Sequence, residues 1–236
     1  MNRRPRSSAG GPGAAGADGP RSRLWGGLGR QLQRPTGLAG ALVGRLMAVV
    51  NREPARLAVE ALAIEPGEKV LELGFGSGAS LEALLAKAQG GWVAGVDHSA
   101  VMLAQAEHRN RAAIAARRLE LVRAPFAALP WPESTFDKAL LVNVLYFFDG
   151  EGRDMAETCR VLRPGGVAAI YVTRRRTMEN WPFSGADTHT LYEEEDLCRL
   201  LQAAGFDASH IRMRRVELMF GISGIVATAR KPDRDG

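Results

Sequence analysis

The chain has 236 residues, of which 46% are hydrophobic and 24% charged, as expected for a globular protein. This length accommodates one sizeable α/β domain and a tail. No apolar run approaches the roughly 18 residues of a membrane-spanning helix and no secretory signal is visible, so we expect a cytoplasmic protein without a membrane span.

The first 34 residues differ in composition from the rest. Residues 1–34 hold seven arginines and one acid among many Gly, Pro, Ala and Ser residues. Their net charge is therefore +6, whereas that of the whole chain is +5. Such a segment cannot bury enough apolar surface to order itself, and we predict a flexible basic leader. An organellar transit peptide is the alternative interpretation. Because the body is near neutral, the charge does not favour nucleic-acid binding.

Residues 35–64 carry apolar side chains at helical spacing. Thr36 is a candidate N-cap for a helix over 33–51, and Pro54 suits the first turn of a second, short helix. We predict that this segment forms a helical lid, with Met47 as a candidate lining residue, over a domain formed by residues 65–236.

From residue 65, strands and helices alternate. The predicted elements are strand 69–74, helix 77–88, strand 91–97, helix 99–116, strands 119–124 and 137–143, helix 151–162, strand 166–172, helix 193–205 and strands 209–218 and 222–231. Short apolar strands between amphipathic helices indicate a parallel sheet covered on both faces. The last two strands are too close for a parallel crossover and must pair antiparallel. The predicted fold is α/β: a doubly wound, Rossmann-like seven-stranded sheet that is mostly parallel and ends in an antiparallel hairpin.

A glycine-rich turn follows the first strand, in the sequence VLELGFGSG (70–78). Gly74, Gly76 and Gly78 permit positive φ and close ligand approach, and ligands of such sheets bind beyond the carboxyl ends of the strands. Asp97 ends the second strand, where a carboxylate can accept hydrogen bonds from ribose hydroxyls. A nicotinamide dinucleotide also fits, because Gly74-x-Gly76-x-x-Ala79 satisfies its pattern. The turn alone leaves both cofactor classes open.

Three further features separate the two classes. Glu72 stands just before the turn, where an acid suits a cationic amino group and sulfonium centre and is unfavourable beside a pyrophosphate. RVLRPGG (160–166) forms a turn before a strand, and LPWPESTFDKALLVNVLYFF (129–148) joins a proline-rich turn to a strand.

As an ordered set, E-x-G-x-G-x-G, GVDHSxxM, LPWPESTFD, LRPGG and LLQAAGF resemble the class I S-adenosylmethionine-dependent methyltransferases that act on small molecules. The resemblance covers about residues 60–230. It implies S-adenosyl-L-methionine as cofactor and in-line methyl transfer to an O, N or C atom of a small-molecule acceptor. The alternatives are a non-catalytic cofactor-binding partner protein and a NAD(P)-dependent oxidoreductase, although no Tyr-x-x-x-Lys pattern is present.

The resemblance also implies roles for individual residues. Gly74, Phe75, Gly76 and Gly78 would lie under the methionine portion, and Glu72 near its amino group. The remaining implied contacts are Asp97 with the ribose, His98 and Met102 with the adenine, and Asn143 with the methionine portion. Where relatives commonly have Gly-Asp-Ala, this chain has Ala124-Pro125-Phe126. Backbone groups around Pro125 and Phe126 would therefore replace a carboxylate at the adenine amine.

Candidates for chemistry and acceptor binding are less specific. His189 is the best general-base candidate of the four histidines, with His108 and His210 expected at the surface, and Tyr146 is a second catalytic candidate. The predicted acceptor pocket comprises Tyr146, Phe147, Phe148, Trp181 and Phe183. Arg174, Arg175 and Arg176 could bind a carboxylate or phosphate of the acceptor.

The sequence also argues against some sites and partners. Cys159 and Cys198 form no CxxC, so we expect two buried or half-buried thiols and no metal site. The segment after Asn143 lacks the double proline of enzymes that methylate nucleic-acid amino groups. We expect a monomer or homodimer with no nucleic-acid partner.

Overall fold

The computed structural model describes residues 51–149, 151–178 and 191–233. Its helices are α1 (Arg52–Leu62), α2 (Leu81–Lys87), α3 (Ala100–Arg109), α4 (Arg111–Ala115), α5 (Arg153–Val161), α6 (Arg175–Met178) and α7 (Glu194–Ala203). Its strands are β1 (Lys69–Leu73), β2 (Trp92–Asp97), β3 (Leu119–Arg123), β4 (Phe136–Val142), β5 (Leu162–Thr173), β6 (Arg212–Glu217) and β7 (Ser223–Arg230). The predicted helix 33–51 and the leader lie outside the described residues.

The strands form one seven-stranded sheet in the order β3-β2-β1-β4-β5-β7-β6. Strands β1 to β5 are parallel, and β7 runs antiparallel between β5 and β6. The predicted fold is therefore confirmed, including the terminal hairpin. Strand order reverses between β1 and β4, which is where an open α/β sheet binds its ligands.

Two apolar clusters cover the two faces of the sheet. On one face Leu62 of α1 and Leu84 of α2 pack with Val70 and Leu140. On the other face Met155 of α5 and Leu197 of α7 belong to the cluster that contains Leu71 and Leu141. Because central strands such as β1 are buried on both faces, their sequences are largely apolar, and Glu72 is the buried acid within β1.

Several element boundaries differ from the predicted ones. Helix α2 begins at Leu81 instead of residue 77, because Gly78 has a φ of +74° and cannot continue a helix backwards. The predicted helix 99–116 is two helices that meet at Asn110. The amide of Asn110 donates to the carbonyl oxygens of Gly78 and Ala106, at 3.2 and 3.0 Å, and so ties this break to the glycine turn.

Further observations concern the thiols and the membrane. Cys159 is buried and Cys198 half-buried, and both thiols are free, as predicted. Within the described ranges, no helix combines the length and apolar character that crossing a membrane requires. The expected cytoplasmic location stays a prediction.

Candidate active site

The three glycines of the turn have different surroundings. All have positive φ, between +52° and +74°. A Cβ on Gly74 would collide with the side chain of Val144, and one on Gly78 would lie 2.8 Å from both Ala106 Cβ and Asn110 Nδ2. A Cβ on Gly76 would meet nothing within 4 Å. Gly74 and Gly78 therefore allow close packing, whereas Gly76 borders open space.

Asp97 lies at the carboxyl end of β2 and faces this turn. Its Oδ2 accepts the backbone N–H of Gly76 at 3.0 Å, and its Oδ1 accepts that of Ser99 at 2.8 Å. The residue is 6% exposed. Burial raises the pKa of Asp97, while the two N–H donors oppose that rise. The carboxylate is thus fixed beside open space, and each oxygen retains a lone pair that could accept a hydroxyl.

Glu72 lies near the carboxyl end of β1 and is only 2% exposed. The Ser80 hydroxyl donates to its Oε1, whereas Oε2 is buried without a hydrogen-bond partner. Burial raises the pKa of Glu72 to about 7, the nearby Asp97 adds to the rise, and Ser80 opposes it. A buried carboxylate oxygen with no partner is costly in an empty site and is suited to a cationic group.

These features fit the predicted cofactor. Two buried carboxylates at adjacent strand ends match a ligand with positive charge and ribose hydroxyls, and Gly76 leaves room for close approach. A pyrophosphate would face Glu72 and Asp97 with like charge. The arrangement therefore favours a sulfonium nucleoside over a dinucleotide.

A second group of predicted residues lies beyond the end of β2. The His98 ring meets the Phe126 ring edge-on, with centroids 5.9 Å apart, and Phe126 packs on Phe148 at 5.6 Å. Met102 is buried in the first turn of α3, where Ser99 accepts its N–H. Pro125 is exposed. These residues could form an apolar and aromatic wall against a flat base.

Phe75 differs from the other turn residues. Its side chain is buried, and a Cβ on Gly95 would lie 2.7 Å from its ring. The ring belongs to the apolar cluster that includes Leu84. The buried ring leaves the backbone of Phe75 as the part that could contact a ligand, and its predicted role in the turn stays a prediction.

Asn143 joins three segments at the carboxyl ends of β4 and β5. It has a φ of +51°, and its amide donates to Asn51 Oδ1 at 2.8 Å. Its Oδ1 accepts the Thr173 N–H at 3.2 Å and the Tyr146 hydroxyl at 2.8 Å. Asn51 is the N-cap residue of α1, yet its side chain makes no capping bond. The side chain of Asn143 therefore links the start of α1 with the ends of β4 and β5, and its predicted cofactor contact stays a prediction.

Tyr146 does not have the geometry of a catalytic base. It is buried, and its hydroxyl accepts the Thr173 N–H while donating to Asn143 or to the Thr173 carbonyl. Burial raises the pKa of Tyr146 well above its usual range. The phenolate is therefore strongly disfavoured, and the predicted catalytic role of Tyr146 stays a prediction.

The remaining predicted residues either lie outside the described residues or are paired or exposed polar side chains. His189, Trp181, Phe183 and Met47 lie outside the described residues. Arg174 pairs with Glu193 at 2.7 Å and Arg175 with Asp196 at 2.6 Å, so neither offers a free charge to an anionic acceptor. His108 is exposed, and so is His210, which pairs with Asp207, as expected for surface residues.

Sequence reasoning missed three residues that shape the site. They are Ser80 beside Glu72, Asn51 beside Asn143, and Val144 over Gly74. Ser80 and Asn51 both precede helices, and such residues are ordinarily assigned as N-caps. Their lack of capping bonds is visible only in three dimensions, so no sequence signal distinguishes them.

Comparison with known proteins agrees with this geometry. Residues 70–166 match the model of a methyltransferase domain family. An uncharacterized methyltransferase of Bacillus subtilis, YdaC, is 26% identical over 81% of this chain and 98% of its own length. The 2-phytyl-1,4-naphtoquinone methyltransferase of Synechococcus elongatus is 38% identical, over 49% of this chain and half of that enzyme.

Solved structures show the same fold. A SAM-dependent methyltransferase from Aquifex aeolicus has a TM-score of 0.58 at 21% identity, over 74% of this chain and 88% of that one. The cyclase SpnF has a TM-score of 0.64 at 21% identity, over 77% and 81%. Fold, site and the family match over residues 70–166 together support a class I S-adenosylmethionine-dependent methyltransferase. The match over residues 70–166 supports the methyltransferase class and the S-adenosylmethionine cofactor that the sequence implied.

Proposed function

We propose that this methyltransferase binds S-adenosylmethionine at the carboxyl edge of β1 and β2 and methylates a small molecule. Two observations support the placement: Gly76, whose N–H donates to Asp97, borders open space, and Glu72 at the end of the neighbouring strand has a buried oxygen without a partner. Both carboxylates belong to the segment that matches the methyltransferase family.

Each described residue has a specific proposed role. Asp97 accepts the ribose hydroxyls, and Glu72 faces the cationic portion of the cofactor. Gly76 and the backbone of Phe75 line the turn, while Gly74 and Gly78 hold its shape through Val144 and Asn110. His98, Met102, Pro125 and Phe126 form the adenine wall. Asn143 and Tyr146 position the edge beside the methionine portion.

The chain's own contribution is placement and exclusion of water. When bound, the cofactor would supply an electrophilic methyl group for transfer to an electron pair of the acceptor. Orientation of two reactants can contribute on the order of 7–11 kcal/mol. Rigid supports of the turn, such as the Asn110 bonds, serve that orientation because they fix the floor of the site.

The general base, where the acceptor needs one, is proposed to be His189. A hydroxyl acceptor loses its proton during transfer and requires a base within hydrogen-bond reach. Tyr146 is unsuited to this role, because its hydroxyl is bonded on both sides and its pKa is raised. An amine acceptor with a low enough pKa would not need His189.

The acceptor is proposed to be a small molecule. The naphtoquinone methyltransferase relative supports this class, although the match spans half of that enzyme. The pairing of Arg174 and Arg175 with Glu193 and Asp196 gives no support to the expected anionic acceptor. We retain a cytoplasmic monomer or homodimer, without a nucleic-acid partner, as part of the proposal.

Calorimetry followed by a transfer assay tests the function. Heat on titration with S-adenosylmethionine and none with NAD(P) is expected, and the reverse result would exclude the proposal. Incubation with labelled cofactor and fractionated metabolite pools should then yield a methylated small molecule. Cofactor binding without transfer to any pool would favour the non-catalytic alternative, and the fold of the cyclase SpnF shows that this architecture also serves other chemistry.

A further inference from the structure

We propose that Glu72, held by Ser80, releases a proton when the cofactor binds and so distinguishes the charged cofactor from its uncharged-sulfur product. This inference rests on the proposed function and deepens it. It adds Ser80 as a positioning residue and gives Glu72 a role in specificity.

Glu72 has one bonded and one unbonded carboxyl oxygen, and the unbonded oxygen could interact with a cation. Only its Oε1 has a protein partner, the Ser80 hydroxyl, while Oε2 is buried and unbonded. At 2% exposure, bulk water does not compensate the free oxygen. An ionised carboxylate in that environment is unfavourable, so the empty site favours the protonated form.

Ser80 is placed for this contact and not for its usual local one. It is the N-cap residue of α2, where a serine side chain ordinarily accepts a backbone N–H of the first helical turn. No such bond is present, and the hydroxyl donates to Glu72 instead. Donation from Ser80 favours the ionised form, which keeps the group within reach of neutral pH.

The neighbours of Glu72 contribute one further charge. In the sheet its flanking residues are Gly95 of β2 and Leu140 of β4, neither of which titrates. The helices on that face, α1 and α2, contribute Leu62 and Leu84 to the adjoining apolar cluster. Asp97, at the end of β2, is the charged neighbour that raises the pKa of Glu72, and His98 acts on Asp97 in turn.

A cation placed beside Oε2 reverses this balance. The positive charge stabilises the carboxylate, so the proton leaves Glu72 for the buffer when the ligand binds. With the pKa of the empty site at about 7, complete ionisation releases about half a proton at pH 7 and about three quarters at pH 6.5. S-adenosylhomocysteine keeps the amino cation but has lost the sulfonium charge, so the total positive charge near Glu72 is smaller and fewer protons should be released.

Titration calorimetry in buffers of different ionisation enthalpy measures the released protons. Wild type is compared with Glu72→Gln, titrating S-adenosylmethionine and S-adenosylhomocysteine at pH 6.5 and 8. The difference between the two proteins cancels protons exchanged by the ligand's own amino group. We expect wild type to release at least half a proton more than Glu72→Gln at pH 6.5. The preference for cofactor over product should rise several-fold towards pH 8 in wild type alone.

Two further variants keep the test decisive. Ser80→Ala removes the donor that favours ionisation, so its proton release should extend to higher pH than in wild type. Glu82→Gln makes the same charge change on the exposed surface of α2 and should match wild type. If Glu72→Gln binds too weakly for calorimetry, the wild-type and Ser80→Ala pH series alone decide.

The outcomes separate this inference from the proposed function. Tight cofactor binding with equal proton release in wild type and Glu72→Gln, or with no shift in Ser80→Ala, would overturn the inference and leave the function standing. Absence of cofactor binding to wild type would overturn the proposed function itself.

Discussion

The backbone N–H of Gly76 donates to Oδ2 of Asp97 at 3.0 Å, which joins the turn after β1 to the end of β2. This bond makes two separated segments one rigid unit next to the strand-order reversal between β1 and β4. Because Asp97 also accepts from Ser99, its carboxylate cannot rotate without breaking a bond. Position 76 is therefore the place where a side chain would enter the proposed ligand space without disturbing the core.

Gly76→Ala should weaken cofactor binding more than it weakens the fold. Positive φ costs a non-glycine residue about 1–2 kcal/mol, and the added methyl points into open space beside Asp97. Gly90→Ala is the matched control, since Gly90 also has positive φ and an unobstructed Cβ direction but lies away from the site. Calorimetry and thermal melting should show similar stability losses and lost affinity only at position 76. Equal affinity in both variants would mean that the ligand lies elsewhere.

Gly78→Ala should instead lower the stability of the fold more than it weakens cofactor binding. The new methyl would lie 2.8 Å from Ala106 Cβ and Asn110 Nδ2, so the α3–α4 junction must shift. Overpacking of this kind costs about 1–3 kcal/mol in addition to the φ strain. Denaturant unfolding should therefore show a clearly lower free energy of unfolding for Gly78→Ala than for Gly76→Ala. A variant as stable as Gly90→Ala would contradict the packing role.

Glu72→Gln should change how stability of the ligand-free protein depends on pH. The pKa of Glu72 rises from an ordinary 4.5 to about 7 on folding, so between these values the folded state holds a proton that the unfolded state has lost. The contribution of this group to stability is therefore full below pH 4.5 and is lost as pH rises through 7. At pH 8 the free energy of unfolding of the variant should exceed that of wild type by on the order of 3 kcal/mol. Urea unfolding at pH 5 and 8 measures this, and parallel curves for the two proteins would refute it.

Tyr146→Phe tests whether the buried hydroxyl is structural or catalytic. Its loss leaves the Thr173 N–H without one acceptor and should cost about 1–3 kcal/mol of stability. Turnover per folded molecule should fall less than tenfold once an acceptor is known. A fall of a hundredfold or more at unchanged stability would instead restore the sequence-based assignment of Tyr146 as a catalytic group.

The sequence predicted the sheet well because its signals are local. Continuous apolar strands, the glycine turn and the hairpin spacing each follow from residues close together in the chain. The helix 99–116 was misjudged because Asn110, at its break, takes its partners from the distant Gly78 as well as from Ala106. The same limit applies to Ser80 and Asn51, whose local role as caps is replaced by bonds to Glu72 and Asn143.

The predicted site residues also differ in how far their positions follow from local sequence signals. Glu72 and Asp97 lie together as predicted, because both are fixed by strand ends that the apolar pattern defines. The surroundings of the Tyr146 and Phe75 side chains could not be predicted, since the direction of a side chain after a turn depends on packing that the sequence does not reveal. Arg174 and Arg175 likewise find acidic partners on or just before α7, about twenty residues further along the chain.

The affinity of Asp97→Ala for S-adenosylmethionine is the most direct test of the cofactor site. Hydrogen bonds to a charged group contribute about 1.5–3 kcal/mol each, so the dissociation constant should rise at least tenfold. Glu82→Ala, which removes an exposed acid from α2, is the control and should bind as wild type does. Affinity of Asp97→Ala equal to that of wild type, in a protein that melts normally, would contradict the placement of the cofactor between β1 and β2.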